Sequence, residues 1–154
     1  MSEPVSVTIT QQDNFRFLVD FGAGIPSLQA DEPAPLGEGA GPSPDQLLLA
    51  AVTNCLSASL FFALKKFKQD AGGITTSGTA RIGRDADNRL RVQQIDVTIR
   101  LGKERGQVEH LDRILDQFEA FCTVTQSVRH GIPVAIEVED AQGVRVKAPE
   151  ARKD

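Results

Sequence analysis

The sequence predicts a single α+β domain over residues 1–154, with elements in the order β-β-α-β-β-α-α-β around a long buried central helix. Three observations carry this. Strand-like alternation recurs near both ends and in the middle of the chain, without the β-α-β alternation of a doubly wound sheet. The first part of the stretch from Pro44 to about Gln69 is too apolar, nearly all the way round, for a surface helix. No repeat, low-complexity segment or linker divides the 154 residues, a length that can bury a core without disulfides or metal.

Val5, Val7 and Ile9 alternate with Ser6, Thr8 and Thr10, the pattern of a half-buried strand. Gln11 to Asn14 form a turn, and a second strand places Phe15, Phe17, Val19 and Phe21 on one face and Arg16, Leu18 and Asp20 on the other. The two make a hairpin. Residues 22–42 are a loop rich in Gly, Pro and acidic side chains, and loops of that length are more often functional than incidental. A well-marked helix start ends it. Ser43 suits the N-cap, Pro44 the first helical position, Asp45 the positive end of the dipole, and Gln46 completes a capping box.

The helix from Pro44 to about Gln69 would be close to 40 Å long at 1.5 Å per residue. That exceeds the diameter of a domain with a radius of gyration of about 15 Å, so a second subunit is expected to cover part of it. Lys65, Lys66 and Lys68 suit its C-terminal end. Ala71, Gly72 and Gly73 break it. Strands over 74–83 and 89–101 follow, joined by a turn at Asp85–Asn88, and Ile95, Val97, Ile99 and Leu101 give the cleanest period-two signal in the chain. Val108, Leu111, Leu115, Phe118 and Cys122 then fall at helical spacing, and a short helix, Thr123–His130, closes on Gly131. Val134, Ile136 and Val138 mark a last strand, and the charged tail is expected to fray from about Lys147.

A net charge of -4 and a pI near 5.2 argue against general affinity for nucleic acid or anionic membranes. No apolar run is read as long enough to span a bilayer, and MSEPVSVTIT has no basic region ahead of an apolar stretch. Neither a membrane span nor a signal peptide is therefore expected. Two cysteines in an acidic chain without a leader suit a reducing compartment, so a cytoplasmic location is expected. Without Trp or Tyr, the chain lacks the residues most typical of binding hot spots and base-stacking platforms.

Cys55 and Cys122 are the only cysteines and the main candidates for chemistry. Cys55 lies mid-helix, where Leu48, Ala51, Val52, Ala58, Ser59 and Phe62 would line a greasy pocket. Cys122 sits where a new helix begins, and free N–H groups there would lower its thiol pKa. Cysteine also packs commonly as an inert small hydrophobe, and spacing alone leaves both readings open. A metal site is disfavoured, because only His110 and His130 could join the thiols and no CxxC or HxxxH spacing exists. No cofactor is expected. His110 is read on a solvated helix face and His130 at a helix C-terminus.

The stretches GPSPDQLLLAAVTNC (41–55) and FCTVTQSVRHGIPV (121–134) resemble the two cysteine motifs of the osmotically inducible protein C (OsmC) and organic hydroperoxide resistance family. The loop words DEP (31–33) and LGEG (36–39) are also similar to OsmC-like members, and with the element order the resemblance spans about residues 14–140. It implies an OsmC-like fold in an intertwined homodimer with active sites at the interface. It also implies a thiol peroxidase: Cys55 attacks a hydroperoxide and becomes a sulfenic acid, Cys122 condenses with it to a disulfide, and a dithiol reductant, often lipoyl, resets the pair. An apolar pocket would favour organic hydroperoxides.

Two departures qualify the carry-over. Where the family has Glu ten residues before the first cysteine, this chain has Asp45, which an ordinary first helical turn also explains. Ten helical residues rise about 15 Å, so Asp45 could serve Cys55 only from a partner subunit. The family arginine has no clear counterpart between Arg16 and Arg81. Arg16 is the nearest candidate, although strand alternation turns it away from the phenylalanine face. A thiolate with no nearby cation in an apolar helix reacts slowly, so the alternative is an OsmC-like small-molecule-binding or redox-responsive protein with little peroxidase activity.

Overall fold

The structure, a computed structural model, describes residues 2–131 and 134–148. At the N-terminus, β1 (Thr8–Asp13), β2 (Arg16–Asp20) and β3 (Leu28–Ala30) form an antiparallel sheet in that order. Ile9 pairs with Val19 and Gln11 with Phe17, and a bulge at Gln11/Asp13 leads into a turn where Asn14 takes a positive φ of 48°. Phe17 and Val19 are the covered side of β2, as the alternation predicts. The first strand differs from expectation: β1 begins only at Thr8 and is exposed along its whole length, with Val5, Val7 and Ile9 all open to solvent. Alternation specifies which residues share a face but not what covers it, and the rest of this chain does not. The sheet packs only sparsely against the other elements.

The loop expected over 22–42 contains β3 and a compact turn organised by Asp31. That carboxylate is buried and accepts hydrogen bonds from the amides of Glu32 (2.8 Å), Glu38 (3.1 Å) and Ala40 (3.0 Å). The Ala40 hydrogen bond outweighs the cost of burial. Together with the Glu38 and Glu32 amides and the Arg16 charge, it holds the carboxyl below its ordinary pKa. Gly41 is required where the turn meets β3, because a Cβ there would lie 1.9 Å from the Gln29 carbonyl oxygen.

Helix α1 (Pro44–Lys66) starts as predicted. The Ser43 hydroxyl accepts from the Gln46 amide (3.3 Å), and the Gln46 side chain accepts from the Ser43 amide (3.0 Å). It stops three residues short of Gln69, where Lys68 turns to a positive φ of 55°. One stripe is buried: Val52, Leu56, Leu60, Ala63 and Leu64. Within one chain α1 is thus covered on one side rather than on most sides, and Ala51, Ala58, Phe61 and Phe62 are exposed. The expectation that no apolar run could span a bilayer also needs correction. Among the described residues this one helix has the length and apolar composition to do so, because Thr53, Asn54, Ser57 and Ser59 are too few to offset its Leu, Ala and Phe content. It nevertheless packs on β4, β5, α2 and α3.

The strands β4 (Ile74–Arg84) and β5 (Leu90–Leu101) form a long antiparallel ribbon, in register from Ile74–Leu101 to Arg84–Leu90 with one bulge at Arg81/Ile82. Its turn is set by Asp85, whose carboxylate accepts from the Asp87 and Arg89 amides. Ile95, Val97, Ile99 and Leu101 face the core. Gly78 lets the ribbon approach α1, since a Cβ there would meet Thr53 Cγ2 at 2.6 Å and Leu49 Cδ1 at 2.9 Å. Ser57 and Thr76 tie the two elements by a hydroxyl contact of 2.5 Å.

On the other side of α1, the single amphipathic helix expected through Val108–Cys122 is broken. Helix α2 is Leu111–Gln117, a 3-10 turn covers Phe118–Phe121, and α3 is Thr123–His130. Ile114, Phe118 and Cys122 face inward, whereas Leu115 is exposed and Val108 precedes the helix. The tighter 3-10 turn moves Cys122 from the end of one helix to the N-cap of the next. Gly131 ends α3 with a positive φ of 77°. Of the strand expected through Val134, Ile136 and Val138, only Val138 lies in a strand among the described residues. A short hairpin of β6 (Val138–Glu139) and β7 (Arg145–Lys147) appears instead, because the Asp140 carboxylate accepts from the Gln142 and Val144 amides and fixes the turn there. Among the described residues, 134–137 find no ladder partner. Most of the tail expected to fray lies outside the described residues.

Candidate functional site

The two cysteines approach each other across the core. Cys55 projects from the middle of α1, partly exposed, with Ser59 one turn further on the same edge. Cys122 is fully buried, 0 % exposed, at the start of α3. Both are free thiols. Cys122 Sγ lies 2.9 Å from the Thr125 hydroxyl, with the side chains of Cys55 and Ser59 facing it from α1. The sulfur makes no full capping hydrogen bond to the helix backbone, although the Thr125 amide also points toward it.

Burial is the largest single influence on Cys122 and pushes its thiol pKa up. The hydrogen bonds available from Cys55, from the Thr125 hydroxyl and amide, and from Ser59 outweigh it together, so the thiol sits below its ordinary value. Cys122 is thus held toward its thiolate although it is buried, and contact with solvent is made through Cys55. Sequence reasoning did not assign Thr125 a role. The signal was present, since a hydroxyl three residues after an N-cap stands where a capping-box partner reaches back. Asp31 was likewise seen only as part of a loop word.

The pocket expected around Cys55 divides in two. Leu48 and Val52 lie on the wall of an open cleft of about 630 Å³ between α1, β5 and α3, with Ile95, Val97 and Phe118 beside them, and Thr125 borders it. Neither cysteine lines it. Ala51, Ala58 and Phe62 instead share the Cys55 stripe and face outward, because their spacing of three and four places them one strip round the helix. Phe121, beside Cys122 in sequence, is also exposed.

Within one chain the other two candidates are apart from the thiols. Asp45 is exposed in the first turn of α1, about 15 Å along the axis from Cys55. Arg16 is half-buried on β2 and bonded to carboxylates, Asp13 at 3.1 Å and Glu38 at 3.9 Å. His130 is exposed near the end of α3, and Arg129 pairs with Glu119 at 3.2 Å. Among the described residues there is no group of three or more His, Cys, Asp or Glu side chains able to hold a metal ion.

The arrangement has counterparts in known proteins. The sequence model of a family described as OsmC-like protein matches residues 37–137. An OsmC-like protein of unknown function from Vibrio cholerae superposes with a TM-score of 0.66 at 16% identity, covering 82% of this chain and 93% of that one. An organic hydroperoxide resistance protein from Elizabethkingia anophelis gives 0.65 at 16% identity, over 86% and 94%. The organic hydroperoxide resistance protein OhrB of Bacillus subtilis gives 0.58 at 19%, over 82% and 91%. At these identities the likeness is one of fold. No sequence match is found among curated proteins.

Proposed function

The chain belongs to the OsmC-like protein family, and on that premise we propose that it is a thiol-dependent peroxidase that reduces organic hydroperoxides. Cys55 attacks the O–O bond as a thiolate and retains one oxygen as a sulfenic acid, while the alcohol departs. Cys122 then displaces that oxygen as water and forms the disulfide. One observation carries the reading: two thiols far apart in sequence face each other across α1 and α3, one half-exposed and one buried. A sulfenic acid formed at the exposed member would meet a thiol before a second oxidant. A dithiol reductant, of lipoyl type by family resemblance, resets the pair, which suits a reducing compartment such as the cytoplasm.

We further propose that the working form is a homodimer. The stripe of Ala51, Cys55, Ala58 and Phe62, together with Phe61 and Phe121, is an apolar surface left open in the single chain. The N-terminal sheet projects with Val7, Ile9 and Phe15 uncovered. A second copy laid across this face covers both and closes an apolar chamber over Cys55. It is also the route by which Arg16 and Asp45 of a partner reach the thiol.

A second reading has its own observation. Arg16 is held by Asp13 and Glu38, and among the described residues no arginine acts on the Cys122 thiol that faces Cys55. If the dimer does not free Arg16, Cys55 lacks its cation and the protein is a small-molecule-binding or redox-responsive relative with little turnover. Treatment with one equivalent of cumene hydroperoxide separates the two. Rapid loss of both thiols, with an intramolecular disulfide by mass spectrometry and no turnover in Cys55→Ser, is the peroxidase result. Slow loss, or persistent free Cys122, is the binding result.

A further inference from the structure

We propose that the Cys55–Cys122 disulfide is opened from one side only: an incoming dithiol attacks Sγ of Cys55, and Cys122 leaves as a thiolate received by the Thr125 hydroxyl. This rests on the pairing proposed above and adds the direction of its reductive half and a residue that serves it.

Access decides which sulfur is attacked. Thiol–disulfide exchange requires the attacking thiolate to reach one sulfur. Cys122 is 0 % exposed, behind α1 and the Phe118–Phe121 turn, whereas Cys55 is partly exposed on α1 and borders the chamber that must admit the hydroperoxide. An external thiol meets Cys55.

The surroundings of the other sulfur suit it to leave. A departing thiol takes the electron pair of the broken bond and leaves faster when that charge is stabilised. Cys122 occupies the N-cap of α3, where the first amides lack intrahelical partners. The Thr125 hydroxyl is 2.9 Å from its sulfur, buried with it. That hydroxyl accepts from the neutral thiol and, by rotating its hydrogen, donates to the thiolate. Ser59 adds a second hydroxyl from α1. Burial alone would disfavour the charge; the hydroxyls reverse the balance.

The step balances as follows. The reductant thiolate bonds to Sγ of Cys55, the Cys55–Cys122 bond breaks, and its electron pair stays on Cys122. The second thiol of the reductant, deprotonated, attacks the reductant sulfur in the mixed disulfide. A cyclic disulfide departs and Cys55 is released as a thiolate. The two protons given up by the dithiol return the pair to its reduced state.

The test forms the disulfide with diamide, so that it does not depend on peroxidase activity. Reduction by dithiothreitol is followed by stopped flow in the full-length protein and in Thr125→Val and Thr125→Ser. Loss of a hydrogen bond to a developing charge is expected to slow Thr125→Val by about tenfold, with Thr125→Ser within about threefold of the parent. In the unmodified protein, 2-mercaptoethanol followed by acid quench should leave the mixed disulfide on the Cys55 peptide. A mixed disulfide on Cys122, an unchanged rate in Thr125→Val, or a Thr125→Ser protein as slow as Thr125→Val would overturn the proposal. Failure of diamide to join the cysteines would overturn it together with the pairing. Success with diamide but not with cumene hydroperoxide would overturn the peroxidase reading alone and leave this one standing.

Discussion

Oxidation should make this protein measurably more stable, by an amount that follows from where the cysteines lie. The two are roughly 67 residues apart in sequence, and a cross-link closing a loop of that length removes about 4 kcal/mol of denatured-chain entropy. In many proteins native strain erodes this gain. Here the two thiol side chains already face each other across α1 and α3 in the reduced fold. What is lost is the stabilisation of the Cys122 thiolate by Thr125 and Ser59, which offsets part of the gain. A net of about 2–4 kcal/mol, at about 2–4 °C per kcal/mol for a domain of this size, gives a rise in Tm on the order of 10 °C. The assay is calorimetry or thermal circular dichroism at one fixed protein concentration, on the fully reduced protein and on the monomer-crosslinked oxidised form. Cys122→Ser treated with the same oxidant is the control and should not gain. A Tm that stays put or falls in the oxidised protein would mean that the bridge distorts the native core, and the juxtaposition of the sulfurs would be wrong.

Three further outcomes are expected. Phe62→Asp, on the exposed stripe beside Cys55, should leave the fold intact by circular dichroism but shift light scattering from dimer toward monomer at micromolar concentration, because it buries an unpaired charge only if a second copy covers that face. A thiolate titration at 240 nm on the reduced protein should show the Cys122 thiol ionising below its ordinary range, and Thr125→Val should move it upward. The sign for stability follows. A depressed folded pKa contributes stability that is fully present above the unfolded thiol pKa and is lost as pH falls through the folded value, so Thr125→Val should cost more stability at pH 9 than at pH 6.

Local order was legible in the chain before any coordinates. The capping box at Ser43–Gln46, with Pro44 between, is a matter of four adjacent residues satisfying one another's amides, and it stands where the pattern places it. The β4–β5 ribbon and the turn at Asp85 follow from period-two alternation and from a carboxylate that bonds its own backbone. Both cysteines were visible as candidates, because they are the only two and the stretches 41–55 and 121–134 resemble the family's two cysteine motifs.

Other features depended on contacts that no window of sequence contains. Whether β1 is covered at all, where the amphipathic pattern through Phe118 breaks into a 3-10 turn, and where the last strand forms are settled by what lies alongside, and alternation is silent on that. Asp31 became an organising group only when Glu38 and Ala40 folded back onto it. The surroundings of the thiols are the sharpest case. The chain places Cys55 in an apolar helix and Cys122 at a helix start, but only the packing of α3 against α1 buries Cys122, leaves Cys55 partly exposed, and brings Thr125 to the buried sulfur. The physical reason is range: backbone hydrogen bonding and periodicity act over a few residues, whereas burial and the fields that move a pKa come from whatever the tertiary fold brings within a few ångströms.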